Sequence, residues 1–335
     1  MKAIKFFAIS AMAAAMITSC SSEDELSQSN YPSDNIVRVT AGVNNAKTRA
    51  EGAGTEMKND FSLTIVNKNA PKYTYTDKVF SKSSGDWACS ETLLWQKSDA
   101  LVDIVAFAPA QTGKFNGVYA EGSIQPITYS VASDQSTKSD NNDLLYYYAK
   151  DFNPGTSLVN RKLSIQFNHA FCMIDIVVTL GTEFNKPKVL DDSPIVKVTL
   201  DGTKIAANVD VKNAATGSTT TTAASVVTAS ETATPTTITT TKGSFDKAAN
   251  AEANAKSRFS CIAIPQTVAG KTFKVSLITA GKRYEWTSAT PVELKSGYRY
   301  TLELSMGNDV VLLKGGSISA TPWTEITSDK PLETD

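Results

Sequence analysis

Two places in this 335-residue sequence have the residue types and spacing for covalent chemistry, and both lie near the N-terminus. The first is the thiol of Cys20. A basic start (Met1, Lys2, Lys5), an apolar run from Phe6 to Ile17 and then Ile17-Thr18-Ser19-Cys20 form the layout of a bacterial lipoprotein signal. The apolar run is about a dozen residues, short of the roughly 20 that a membrane span needs. It ends in small residues before the cysteine, as a secretory h-region with a cleavage site does. Cutting before Cys20 leaves its thiol to carry diacylglycerol and its freed amine a third acyl chain. Two or more chains anchor stably where one binds only marginally. The second place is the small, polar stretch from Asn44 to Gly54, which contains Lys47 and Arg49 and reads as exposed and cleavable.

Elsewhere the residues that carry chemistry are sparse. The single histidine, His169, falls at the junction of two strand patterns and reads as a packed, hydrogen-bonded side chain. A hydrolase triad has to use this imidazole, and no Gly-x-Ser-x-Gly elbow accompanies it. No Cys/His pair has zinc spacing, and there is neither a Walker loop nor a dinucleotide glycine motif after a strand. Asp191-Asp192 binds calcium only if further oxygens converge on it; otherwise it is a polar linker. The expectation is therefore no enzyme, no catalytic residue, no metal and no cofactor. With Cys20 acylated, Cys89, Cys172 and Cys261 remain, an odd number that argues against a closed disulfide framework. Cys172 and Cys261 sit in apolar strand patterns as small hydrophobes. Tyr146-Tyr147-Tyr148 reads as a strand alternating between core and surface, with a sugar-stacking platform as the other possibility. The 33 Lys+Arg against 34 Asp+Glu give a net charge of −1, which favours neither nucleic acid nor an anionic membrane as partner.

The elements that must position these residues are strands. After a polar, Ser-rich tether from about Ser21 to Asp34, Val37, Val39, Ala41 and Val43 alternate with Arg38, Thr40 and Gly42, the period of a strand with one buried face. Phe61 to Ile65, Tyr73 to Tyr75, Val102 to Phe107, Leu163 to Phe167 and Ala170 to Leu180 follow, with Cys172, Ile174, Ile176 and Val178 on one face and Asp175 on the other. Gly181 to Pro194 marks a linker or domain boundary. Val196 to Leu200 and Thr203 to Ala207 flank Asp201-Gly202 and predict a tight hairpin. The Thr-rich stretch 214–244 predicts either a loop or a long hairpin with edge strands at Val226 to Thr228 and Thr236 to Thr241. Further strands are expected at Phe259 to Ile264, Phe273 to Thr279, Arg283 to Thr287 (after a Gly281-Lys282 turn), Tyr298 to Ser305 and Val310 to Leu313. Only Asn250 to Lys256 and parts of the tether look helical. The length suggests two domains, and many short strands parted by Gly, Asn, Asp and Pro suggest β-sandwiches.

In order along the chain, several stretches resemble the fimbrillin family of Bacteroidales, the type V pilins and fimbrillin-like surface lipoproteins. They are the lipobox at Cys20, with Glu23-Asp24-Glu25 after it similar to a Bacteroidetes surface-export tag; Thr48-Arg49-Ala50; Leu94-Trp95 with Val102 to Pro109; Asp143-Leu144-Leu145-Tyr146; Leu163 to Met173 with Phe167, His169 and Ala170; Leu294 to Tyr300; and Ile318 to Glu325 around Trp323. The resemblance implies two transthyretin-like antiparallel β-sandwich domains, at 50–184 and 185–335, after a signal peptide at 1–19 and a tether with removable first strand at 20–49. It implies acylation and export to the outer membrane and cell surface, with residence in a fimbrium after maturation. Cleavage by a trypsin-like, Arg-specific protease between Arg49 and Ala50 would release the first strand, with Val37, Val39, Ala41 and Val43 as a plug. Assembly with other pilin subunits would then proceed by strand exchange. The expected donor is segment 317–335, with Ile318, Ala320 and Trp323, after a flexible Lys314-Gly315-Gly316. Pro322 restricts its pairing, so a strand that stays in its own domain, as in a tip, cap or anchor subunit, is the other expectation. A different class of reading is a lipid-anchored module that binds a glycan or host protein without polymerising.

Overall fold

The computed structural model of the chain describes residues 30–44, 55–57, 59–83, 85–113, 124–139, 142–214, 225–308, 310–313 and 318–323. The signal peptide, Cys20, Lys47-Thr48-Arg49-Ala50, Lys314-Gly315-Gly316, residues 215–224 and residues 324–335 lie outside these segments. Among the described residues the chain is almost entirely β-stranded, and no helix is long and apolar enough to cross a membrane.

The first half contributes β1 (Val39–Val43), β2 (Thr55–Glu56), β3 (Phe61–Asn67), β4 (Tyr75–Ser83), β5 (Asp86–Cys89), β6 (Val102–Ala108), β7 (Ile127–Ser130), β8 (Leu145–Phe152) and β9 (Leu163–His169). Seven of them close on themselves in the order β1-β5-β4-β3-β6-β8-β9 and back to β1, with β2 added on β1. Closure removes sheet edges, and β1 is the strand that completes it. Alternation in β9 buries Leu163, Ile165 and Phe167 inside, where Phe61 stacks on Phe80 at 5.3 Å and meets Phe167 edge-on at 5.5 Å.

The second half supplies β10 (Cys172–Leu180), β11 (Ile195–Asp201), β12 (Ala206–Val209), β13 (Val227–Ala229), β14 (Ile238–Thr239), β15 (Thr241–Asp246) and β16 (Ala255–Ala263). It continues through β17 (Gln266–Val268), β18 (Lys274–Thr279), β19 (Arg283–Thr287), β20 (Val292–Leu294), β21 (Tyr298–Met306), β22 (Val311–Leu313) and β23 (Ser319–Pro322). These form open sheets. The largest runs β15-β16-β10-β21, with β22 and β23 end to end along the outer edge of β21; smaller ones run β14-β11-β18-β19, β13-β12-β7 and β17-β20. Ile174, Ile176 and Val178 point into the core, as their alternation predicts, and Asp175 on the opposite face pairs with Arg299 across the parallel β10/β21 ladder.

The two halves share a wall. On β6, Ile104 and Ala106 face the barrel interior while Val105 and Phe107 enter the second core; on β3, Ile65 and Val66 divide in the same way. This explains why Val102 to Phe107 is apolar throughout: both faces are covered. It also corrects the expectation for the tyrosine run. Tyr147 packs on the barrel core and Tyr146 and Tyr148 on the second core, so the alternation is between two cores. In the same spirit β7 leaves the first half to pair with β12.

Three local expectations are overturned. Asp201-Gly202 turns, with Gly202 at φ +94°, but β11 and β12 do not pair, because β11 lies between β14 and β18 while β12 lies between β13 and β7. A side chain on Gly202 would strike the Thr272 carbonyl at 2.2 Å, so contact with another segment sets the turn. The Thr-rich stretch forms short edge strands at β13 and β14, yet on different sheets. Asn250 to Lys256 is a turn rather than a helix: the Asn250 side chain accepts from the Glu252 N–H at 2.9 Å, and β16 starts at Ala255. The Gly281-Lys282 turn joins β18 to β19 as expected.

Candidate functional site

The slot filled by β1 is defined by what lies on either side of it. On one side β1 runs parallel to β9, from Val39 opposite Leu163 to Val43 opposite Phe167. The Leu163 N–H donates to Arg38 at 2.8 Å and the Asn44 N–H to Phe167 at 2.7 Å, bracketing the ladder. On the other side the contact is thinner. Val39 meets Trp87 of β5, the Val37 N–H donates to Leu93 at 2.9 Å, and the Trp95 N–H donates to Asn35 at 2.8 Å. Near its end β1 also pairs with β2, Gly42 opposite Glu56 and Val43 opposite Thr55. The bond between Arg49 and Ala50 falls in the connection between these two antiparallel strands, outside the described residues.

Val37, Val39 and Val43 are buried in the barrel core and Ala41 is half-buried against it. Each fully buried valine contributes roughly 1.5–3 kcal/mol, so the strand is held chiefly by three side chains and a backbone ladder. Removing it would uncover Leu163, Ile165 and Phe167 together with the unpaired edge of β9, an arrangement that templates another strand. The alternation of both strands is legible in the sequence, but β9 as the floor of the slot is not: period two gives a strand's buried face and is silent on its neighbour.

At the other end of the chain, β23 pairs antiparallel with β21 of its own chain, Tyr298 opposite Pro322 through Thr301 opposite Ser319. Ile318 is half-buried, Ala320 is exposed and Trp323 is buried. The Trp323 ring stacks on His169 with centroids 3.8 Å apart and 12° between planes. His169 in turn bonds Asp143 through Nδ1 at 2.7 Å. The histidine is thus a packed, hydrogen-bonded residue; Asp143 and Trp323, far away in sequence, are partners that reading the chain does not disclose.

The remaining candidates resolve into structure. Cys172 and Cys261 are buried free thiols; burial pushes Cys261 up to about 12 and Cys172 further still, so both stay protonated and unreactive at neutral pH. Cys89 is free and half-buried. Lys188 and Lys247 lie against Asp191, holding its carboxyl at about 2, and Lys242 lies against Asp192. Ammonium groups therefore occupy the positions a calcium ion would need. Among the described residues no cluster of three or more His, Cys, Asp or Glu has metal-binding geometry.

Comparison with known proteins completes the description. A family model described as fimbrillin-like matches residues 48–323, from just before the cleavable bond to Trp323. A candidate cell adhesion protein of Bacteroides ovatus shares the fold at TM-score 0.59 and 15% identity, over 87% of this chain and 98% of its own. A second such candidate, from Bacteroides uniformis, gives 0.53 and 16% over 88% and 100%. A fimbrial protein of Bacteroides vulgatus gives 0.52 and 14% over 86% and 99%. No curated protein matches the chain.

Proposed function

The chain belongs to the fimbrillin-like family, a family of structural, non-catalytic surface subunits, and from that premise we propose that it is a fimbrial subunit assembled through the slot that β1 fills. Its setting is the outer membrane and cell surface, and its general role is adhesion. The precursor is anchored through acylated Cys20, after processing by the lipoprotein export and acylation machinery. A trypsin-like protease then cuts between Arg49 and Ala50. We read the two hydrophobic cores as two sandwich domains of transthyretin type, near 50–184 and 185–335, the first closed by its own plug.

The observation that carries this reading is that β1 alone closes the barrel, holding buried Val37, Val39 and Val43 against β9. While the chain is intact, β1 is tethered and its effective concentration at the slot is in the millimolar range typical of short linkers. The cut turns it into a separate ligand that dilution can remove. A strand from another subunit then restores both the ladder and the apolar filling. Incubating the precursor with an arginine-specific protease is expected to give an Ala50 N-terminus and multimers that grow with concentration. Cleaved protein that stays monomeric at every concentration contradicts a stalk role.

A tip, cap or anchor position is the second reading, favoured by β23 pairing with its own β21. In that case the cleaved chain accepts a strand from another subunit but donates none, and mixed incubation stops at short oligomers. Host glycan or protein receptors belong to either position.

A further inference from the structure

The hold on the C-terminal strand is concentrated in one residue. All four residues of β23 are exposed, so the strand buries almost no side chain. Its ladder is weakened beside the anchor because Pro322, opposite Tyr298, has no N–H to donate. Trp323 differs: it is buried, and a side chain of its size removes about 150–250 Å² from water.

What receives it is a built socket. The His169 ring forms one wall, stacked at 3.8 Å on the indole. Its side chain is 2% exposed and is oriented by Asp143 through Nδ1. Two polar atoms in the socket, His169 Nε2 and Asp143 Oδ1, are buried with no hydrogen-bond partner. Gly297 completes the site. Its φ of +69° turns its carbonyl to accept the Trp323 N–H at 2.7 Å, while its own N–H donates to Phe171 at 2.9 Å. The socket therefore joins the end of β9 to the start of β21 and lies where the two halves of the chain meet.

We infer that Asp143, His169 and Gly297, with the 298–301 edge of β21, form a binding site for an extended peptide carrying a tryptophan at its end, occupied here by the chain's own Trp323. The second occupant of that site is the C-terminal strand of another copy of this chain, which carries the same sequence and exchanges with the resident one. The choice of partner rests on the strand-exchange reading above. The site is separate from the β1 slot: it is built on β21 and the β9 end, and it does not need cleavage at Arg49.

The test uses the full-length, uncut chain carrying Trp323→Ala, titrated with a fluorescein-labelled peptide of residues 318–325. Saturable binding is expected, roughly tenfold tighter than that of the same peptide with alanine at the tryptophan. The unsubstituted chain, its socket filled, should bind the peptide roughly tenfold more weakly than the variant. No binding, or equal binding of the two peptides, overturns the site. Because the variant can be checked for folding only by its own spectrum, the unsubstituted chain gives a second readout. Amides of residues 319–322 should exchange with solvent at least about a hundredfold faster than those of β10, as a strand that lets go locally does, and equal protection overturns exchangeability. Cleavage-driven multimers with a failed peptide titration leave the β1 slot standing, and the reverse result leaves this site standing.

Discussion

Val39→Asp is expected to lower the stability of the uncut chain by about 3–5 kcal/mol, the cost of leaving a charge buried without a partner. Val39 faces the barrel core and is 3% exposed. Its neighbours across the ladder are Leu163 and Trp87, neither of which offers a cation. At about 2–4 °C per kcal/mol for a chain of this kind, the melting temperature falls by roughly 6–20 °C. Thr40→Asp, one residue along and exposed, should stay within about 0.5 kcal/mol of the parent. Thermal unfolding followed by circular dichroism measures both. If the two variants melt alike, the burial of β1 is not what closes the barrel. The same substitution bears on assembly: a plug that cannot sit in its slot leaves the slot open before any protease acts, so Val39→Asp should multimerise without cleavage.

Phe107→Ala is expected to cost about 3–5 kcal/mol, the range for removing a buried aromatic ring. The effect should spread through the molecule. The backbone of Phe107 belongs to β6 of the barrel, between β3 and β8, while its ring lies in the second core with Val105 and Val66. A cavity there loosens both halves through one shared wall. Unfolding should remain a single transition, shifted down as a whole and followed equally by probes in either half. Two separated transitions with only one displaced would mean that the halves are independent bodies joined by a linker. In a fibre this coupling matters, because tension applied at the C-terminal strand has to reach the β1 slot through that wall.

Much of this architecture is legible in the residues. Alternation locates β1, β9 and β10 and gives their buried faces correctly, because each has one polar and one apolar side or, for β6, two apolar ones. Cys172 and Cys261 read as small hydrophobes, and His169 as a packed side chain, for the same local reason. What local pattern does not carry is partnership. β1 and β9 pair in parallel across more than a hundred residues, and nothing in either strand's period specifies the other. Asp201-Gly202 supplies the turn geometry, but whether the next strand returns to the same sheet depends on the distant Thr272 carbonyl beneath Gly202. The tyrosine run shows the same limit, since its outward faces meet a second core that the run itself does not reveal. The socket for Trp323 needs residues from three separated segments, Asp143, His169 and Gly297, and only the fold brings them together.

Hydrogen exchange at β9 tests the role of β1 most directly. In the uncut chain the amides of residues 163–167 should be protected by the parallel ladder to β1. After cleavage at Arg49 and removal of the freed strand at high dilution, that protection should be lost while β10 keeps its own, and it should return in the multimers as an incoming strand takes the place. Residues 163–167 that remain equally protected with the first strand gone would contradict the account.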